Sequence, residues 1–229
     1  MNSQKFTSFL NTISSKPLLV LDASIPLPAY VPIKLSQDNL DLQEFDVASS
    51  SAWQDYMTTY LQKHHAKVAY GGYAEVRNIY KRSKHFNNLD VDTERNIHLG
   101  VDLWLDAGSE IFTPLDAEVH SFKNNQNFGD YGPTIILKHT IETVEFYTLY
   151  GHLSLESLVN LQIGQCFKAG DKIATLGDAS VNGDYAPHLH FQIIRDIQNF
   201  YGDYPGVCSK NDLDKFLQNC PDPNLLLKL

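Results

Sequence analysis

The chain is poor in cysteine. Cys166, Cys208 and Cys220 are the only three in 229 residues, and none belongs to a CxxC pair. So odd and sparse a set makes neither a disulfide framework nor a thiolate zinc site, and it reads as buried free thiols in a reducing compartment. Basic charge is scarce too. Against 27 Asp and Glu stand 18 Lys and Arg, for a net charge of −9, with no basic run anywhere. That balance argues against nucleic acid and against an anionic membrane surface as partners. Long apolar runs are missing as well: the best, Leu18 to Leu21, is far too short to span a bilayer. The N-terminal residues MNSQKFTSFL lack a charged start followed by an apolar stretch. No secretory signal is read there, and the cytoplasm is the expected location. What is present is ordinary for a folded protein, at 43% hydrophobic and 20% charged residues.

Three regions are visible. Residues 1–70 read as a mixed, partly helical N-terminal extension. Pro26, Pro28 and Pro32 disfavour regular structure there, while Trp53, Tyr56, Met57, Tyr60 and Leu61 recur at helical steps after Ser51. Ser51 with Gln54 fits a capping box. Residues 71–200 carry short β-type runs at 101–105, 117–122, 134–139, 144–149, 172–176 and 188–194, separated by turn residues. This texture predicts a mainly β domain, an antiparallel sheet or sandwich. Residues 201–229 form a C-terminal tail with a short helix over 212–217, which Pro221 and Pro223 should stop.

Four of the nine histidines and one aspartate fall in three short segments. In Pro187-His188-Leu189-His190-Phe191, strand alternation puts both imidazoles on one face and the apolar residues in the core. By itself an HxH is weak evidence, since half-buried histidines occur on strands without any metal. Ile97-His98-Leu99-Gly100-Val101-Asp102 adds an imidazole and a carboxylate four apart. That spacing keeps them on one face of a strand or of a helix, with Gly100 and the run 101–105 favouring the strand, although a surface charge beside a turn would look the same. The third segment is Leu149-Tyr150-Gly151-His152-Leu153. His98, Asp102 and His190 would supply two nitrogens and one carboxylate oxygen, a donor set that suits Zn²⁺ with a fourth position open to water. The combination is more specific than any part. His64, His65, His85, His120 and His139 lie in no such motif and are read as structural or solvent-facing.

The order HxxxD, YGHLS, a Gly-rich loop and PHLHF resembles the lysostaphin-like zinc metallopeptidases that cut peptidoglycan. The likeness runs from about Arg95 to Ile194 and takes in Ile111–Val119, the Tyr131-Gly132 turn, and Gly164-Gln165 with Lys168–Asp171. It implies one zinc per chain on His98, Asp102 and His190, with His152 and His188 as the two catalytic histidines. The implied substrate is a peptide or a peptidoglycan-derived bond. The family's Ser-Thr-Gly turn before PHLHF is replaced by residues 177–186, which puts Asp184 and Tyr185, with Tyr131, forward as substrate-binding residues. Gly71–Arg77 and the tail around Pro205-Gly206-Val207 and Cys220–Asn224 also resemble the metallopeptidase segment of some large cytoplasmic fusion proteins. That second likeness implies a small intracellular peptide or amide. The competing reading is a non-catalytic zinc-binding regulatory or substrate-binding module, and the intact five positions weigh against it. A histidine base with its ordinary pKa of about 6.5 would lose activity on acidification through that value.

Overall fold

A computed structural model describes residues 1–82 and 92–229. Its strands in chain order are β1 (Tyr30–Pro32), β2 (Val68–Gly71), β3 (Ile97–His98), β4 (Val101–Trp104), β5 (Glu110–Phe112), β6 (Ala117–Asn125), β7 (Gly132–Ile141), β8 (Val144–Gly151), β9 (Cys166–Phe167), β10 (Lys172–Thr175), β11 (His188–Ile194) and β12 (Val207–Cys208). Eight of them make one sheet in the order β1-β2-β4-β11-β8-β7-β6-β9, while β10 pairs with β5 and β12 with β3. Every pairing is antiparallel except β1 with β2. The mainly β architecture and each of the six expected strands are present.

Strand alternation sets the two faces of the sheet. Leu189, Phe191 and Ile193 of β11 join Val101, Leu103, Ile135 and Leu137 in the principal core. Burying each such side chain contributes roughly 1.5–3 kcal/mol. A slip of one residue would exchange Leu189 and Phe191 for His188 and His190, so the apolar residues fix the register of the histidines.

Helix α1 (Ser3–Ile13) was not anticipated from the sequence. Asn2 caps it by accepting from the Lys5 N–H at 2.9 Å, and its Phe6 packs edge-on against Phe146 at 5.9 Å. Leu226 and Leu227 of α4 (Asn224–Leu227) bury in the same core, so both ends of the chain cover one sheet face. The tail helix ends before Pro221 as expected, and Pro223 then leads into α4, where proline costs no hydrogen bond. The expected tail helix is α3 (Leu213–Asn219).

Helix α2 (Ser50–Lys63) carries the expected aromatic stripe, with Trp53 and Met57 buried. Its cap is Ser49 rather than Ser51: the Ser49 hydroxyl accepts from the Ala52 N–H at 3.3 Å. The proline-rich stretch ahead of it still yields β1. Pro32 is tolerated because β1 is an edge strand, with no strand on its outer side among the described residues. Residues 30–71 therefore add two strands to the large sheet. Cys208 and Cys220 are buried free thiols as expected, but Cys166 is exposed, because it sits on the outermost strand β9. His64 and His65 are exposed at the end of α2, His120 is half-buried, and His85 lies outside the described residues. Among the described residues no helix is long and apolar enough to cross a membrane.

Candidate metal centre

Pairing register assembles the site. Gly71, Asp102, His190 and Gly151 lie opposite one another on β2, β4, β11 and β8, so a carboxylate and an imidazole sit side by side with a glycine on each flank. His188 lies opposite Trp104, and their rings stack at 5.5 Å. His98 arrives differently from the sequence expectation. It is on β3, outside the large sheet, and a bend at Gly100 separates it from β4. The single strand that would hold His98 and Asp102 on one face does not form, yet the bend brings them together. A side chain at Gly100 would place its Cβ 2.6 Å from Cε1 of His190.

Three donor atoms converge. His98 Nε2 is 2.8 Å from His190 Nδ1 and 3.2 Å from Asp102 Oδ1, and His190 Nδ1 is 3.1 Å from the same oxygen. All three residues are at most 2% exposed. The opposite ring nitrogens decide what these atoms carry. His98 Nδ1–H donates to the Gly72 carbonyl at 3.0 Å, and His190 Nε2–H donates to Gln192 Oε1 at 3.0 Å. In a neutral ring each inward nitrogen therefore holds a lone pair rather than a proton. Burial, against the pull of Asp102, takes the His98 pKa down to about 4, so its ring is neutral at pH 7. Two lone pairs and an anionic oxygen within 3.2 Å of each other repel unless a cation lies between them. The set fits a zinc ion with one position left over.

Asp102 is held from behind. Its other oxygen, Oδ2, accepts from Arg77 Nη1 at 2.6 Å, and Arg77 Nε donates to Glu75 Oε2 at 2.7 Å. Burial raises the carboxyl's pKa, but His98 and Arg77 outweigh it and hold the group well below the usual carboxylate range.

His152 and His188 stand beside the triad with their rings 4.2 Å apart. Each spends one nitrogen on a backbone carbonyl. His152 Nδ1–H donates to Asn182 O at 2.8 Å and His188 Nδ1–H to Ala186 O at 2.7 Å. Both Nε2 atoms are thus unprotonated acceptors, and that of His188 is 4.0 Å from Asp102 Oδ1. Burial pushes both pKa values down, for His152 with help from His188. His152 holds a left-handed φ of 62°, a conformation costly for a non-glycine residue and characteristic of functional positions.

Residues 96–201 match the model of Peptidase family M23. The matched segment, a little under half of the chain, is similar to that family. It holds all five residues just described, while no curated protein matches the chain. Solved structures give partial likenesses. The catalytic domain of lysostaphin from Staphylococcus simulans is 23% identical, over 53% of this chain and 80% of that one, with a TM-score of 0.37. The catalytic domain of the prophage-encoded M23 protein EnpA from Enterococcus faecalis is 20% identical, over 48% and 80%, with a TM-score of 0.38. A zinc-containing peptidase from Vibrio cholerae is 24% identical, over 48% and 34%, with a TM-score of 0.36. At these TM-scores the superpositions are loose, and the assignment rests on the family match.

The matched region opens into a cavity of about 310 Å³ lined by all five of those residues. Tyr131 and Tyr185 line it, their rings 5.6 and 5.1 Å from that of His152. Asp184 does not line it. Its Oδ1 accepts from Ser50 Oγ at 2.6 Å, tying α2 to the loop before β11. Sequence reasoning missed two residues of the centre. Gln192 had a usable signal, lying two residues past His190 on the same strand face. Arg77 had none within its own segment, because its partner Asp102 is 25 residues away.

Proposed function

We propose that this protein is a zinc-dependent metallopeptidase that hydrolyses a peptide or amide bond, in a peptidoglycan-type or a small peptide substrate. The observation that carries the reading is the orientation of four imidazoles. Two turn a lone pair toward a buried carboxylate oxygen, and two more turn theirs into the adjoining cavity.

His98 Nε2, His190 Nδ1 and Asp102 Oδ1 would hold the ion. When bound, zinc supplies Lewis-acid activation of a water and polarisation of the scissile carbonyl. The chain's own residues do the proton work. An Nε2 of the His152–His188 pair accepts a proton from the attacking water and returns it to the leaving nitrogen. The carbonyls of Asn182 and Ala186 keep each ring in the tautomer that can accept. The ring that takes the proton turns cationic, and on His188 that charge lies 4.0 Å from Asp102 Oδ1, which stabilises it.

The test is metal analysis together with hydrolysis of a peptide and muropeptide panel by the wild type, His152→Ala and His188→Ala. All three should hold about one zinc per chain, with hydrolysis in the variants lowered about 10²–10⁴-fold. A wild type that binds no zinc, or a zinc-loaded wild type that cleaves nothing in the panel, overturns the proposal.

A further inference from the structure

The M23 match begins at residue 96, yet part of the cavity wall comes from well before it. Leu35, Leu42, Val47 and Trp53 line the cavity together with the polar Gln37, Asn39 and Gln43. Trp53 spends its indole N–H on the Val47 carbonyl at 2.8 Å, so the ring meets the cavity as an apolar surface. The wall is bonded into the metal centre rather than laid over it. The Leu35 N–H donates to Glu75 Oε1 at 2.8 Å, Glu75 Oε2 accepts from Arg77, and Arg77 donates to Asp102. Ile33 N–H adds a bond to the Tyr70 carbonyl at 2.9 Å, and Ser50 anchors the start of α2 to Asp184.

Phe200, Pro205 and Val207 line the same cavity. The volume of about 310 Å³ lies at the low end of small-ligand pockets, which run from about 300 to 1,000 Å³. From these constraints we infer that residues 35–53 select a short peptide or small amide bearing an apolar side chain, which packs on Leu42 and Val47, and exclude cross-linked peptidoglycan. The inference rests on the metallopeptidase reading and narrows its substrate class.

The experiment offers zinc-loaded protein two kinds of substrate side by side: di- to hexapeptides with apolar or charged side chains, and purified cross-linked peptidoglycan sacculi. Short apolar peptides should be cleaved, the rate should fall as the peptide lengthens, and sacculi should release no soluble fragments. In Leu42→Ala/Val47→Ala, KM for the apolar peptides should rise roughly tenfold or more. Its zinc content and kcat should change far less. Sacculi solubilised as fast as short peptides are cleaved would overturn the inference while leaving the peptidase reading standing. So would an unchanged KM in the folded double variant. Cleavage of neither substrate would overturn both. The length profile of the unaltered protein decides the matter even if the double variant does not fold.

Discussion

His139, near the end of β7, and His188, at the start of β11, are both buried neutral histidines whose pKa burial has lowered. They differ in what their nitrogens do. His139 bonds with both, Nδ1 to the Asp116 carbonyl at 3.0 Å and Nε2 to Thr148 Oγ1 at 2.7 Å, and its ring stacks on Phe146. His188 gives Nδ1 to a carbonyl and turns Nε2 toward a cavity. Burial and a depressed pKa thus mark both kinds of histidine. The nitrogen left for chemistry marks only one.

The sharpest contrast comes from removing a donor at each place. Asp102→Asn removes the anion that faces two lone pairs and the Arg77 guanidinium. Zinc should fall from about one per chain to near zero, and hydrolysis with it. His139→Gln should leave zinc and kcat intact while costing about 1–3 kcal/mol of stability, because partners of a buried ring lose their bonds. Metal analysis and denaturant titration read the two outcomes, and equal effects on zinc would erase the distinction. A smaller effect is expected at Gln192, which orients His190 without touching the ion. Gln192→Leu should weaken zinc binding about 10–100-fold in a chelator competition, with the fold retained.

The smallest effect separates the two histidines least. In metal-free protein, burial holds His139 and His98 at about 4, below the unfolded value of about 6.5. As pH falls the unfolded chain takes up protons first. Stability present above about pH 6.5 is therefore lost on the way down to about pH 4, at roughly 1.4 kcal/mol per pH unit for each group. Denaturant midpoints at pH 7, 6 and 5 should fall in that order, and less steeply in His139→Gln. Activity follows the other pair. Since burial lowers His152 and His188, the acid limb of the rate should lie below pH 6.5 rather than at it, as a pH–rate profile would show.

Much of this was legible in the sequence where a local pattern carries the information. Period-two alternation in β11 put His188 and His190 on one face and Leu189 and Phe191 in the core, as found. The His98–Asp102 spacing pointed to the right partners through the wrong element, because the bend at Gly100 answers to β12 pairing with β3, a contact over a hundred residues away in the chain. Helix α1 was missed although Phe6, Phe9, Leu10 and Ile13 have helical spacing, since its stability comes from packing on Phe146 and α4 rather than from propensity. That residues 35–53 line the cavity was unreadable for the same reason. Nothing in their composition says that they face an aspartate bound sixty residues on.

The central claim is that two imidazoles and one carboxylate share a zinc while two further histidines do not. X-ray absorption at the zinc edge tests it most directly. The wild type should show a shell of nitrogen and oxygen at about 2.0–2.1 Å with two imidazoles, reduced to one in His190→Ala and unchanged in His188→Ala. Sulfur at about 2.3 Å, or a shell altered by His188→Ala but indifferent to His190→Ala, would contradict the account.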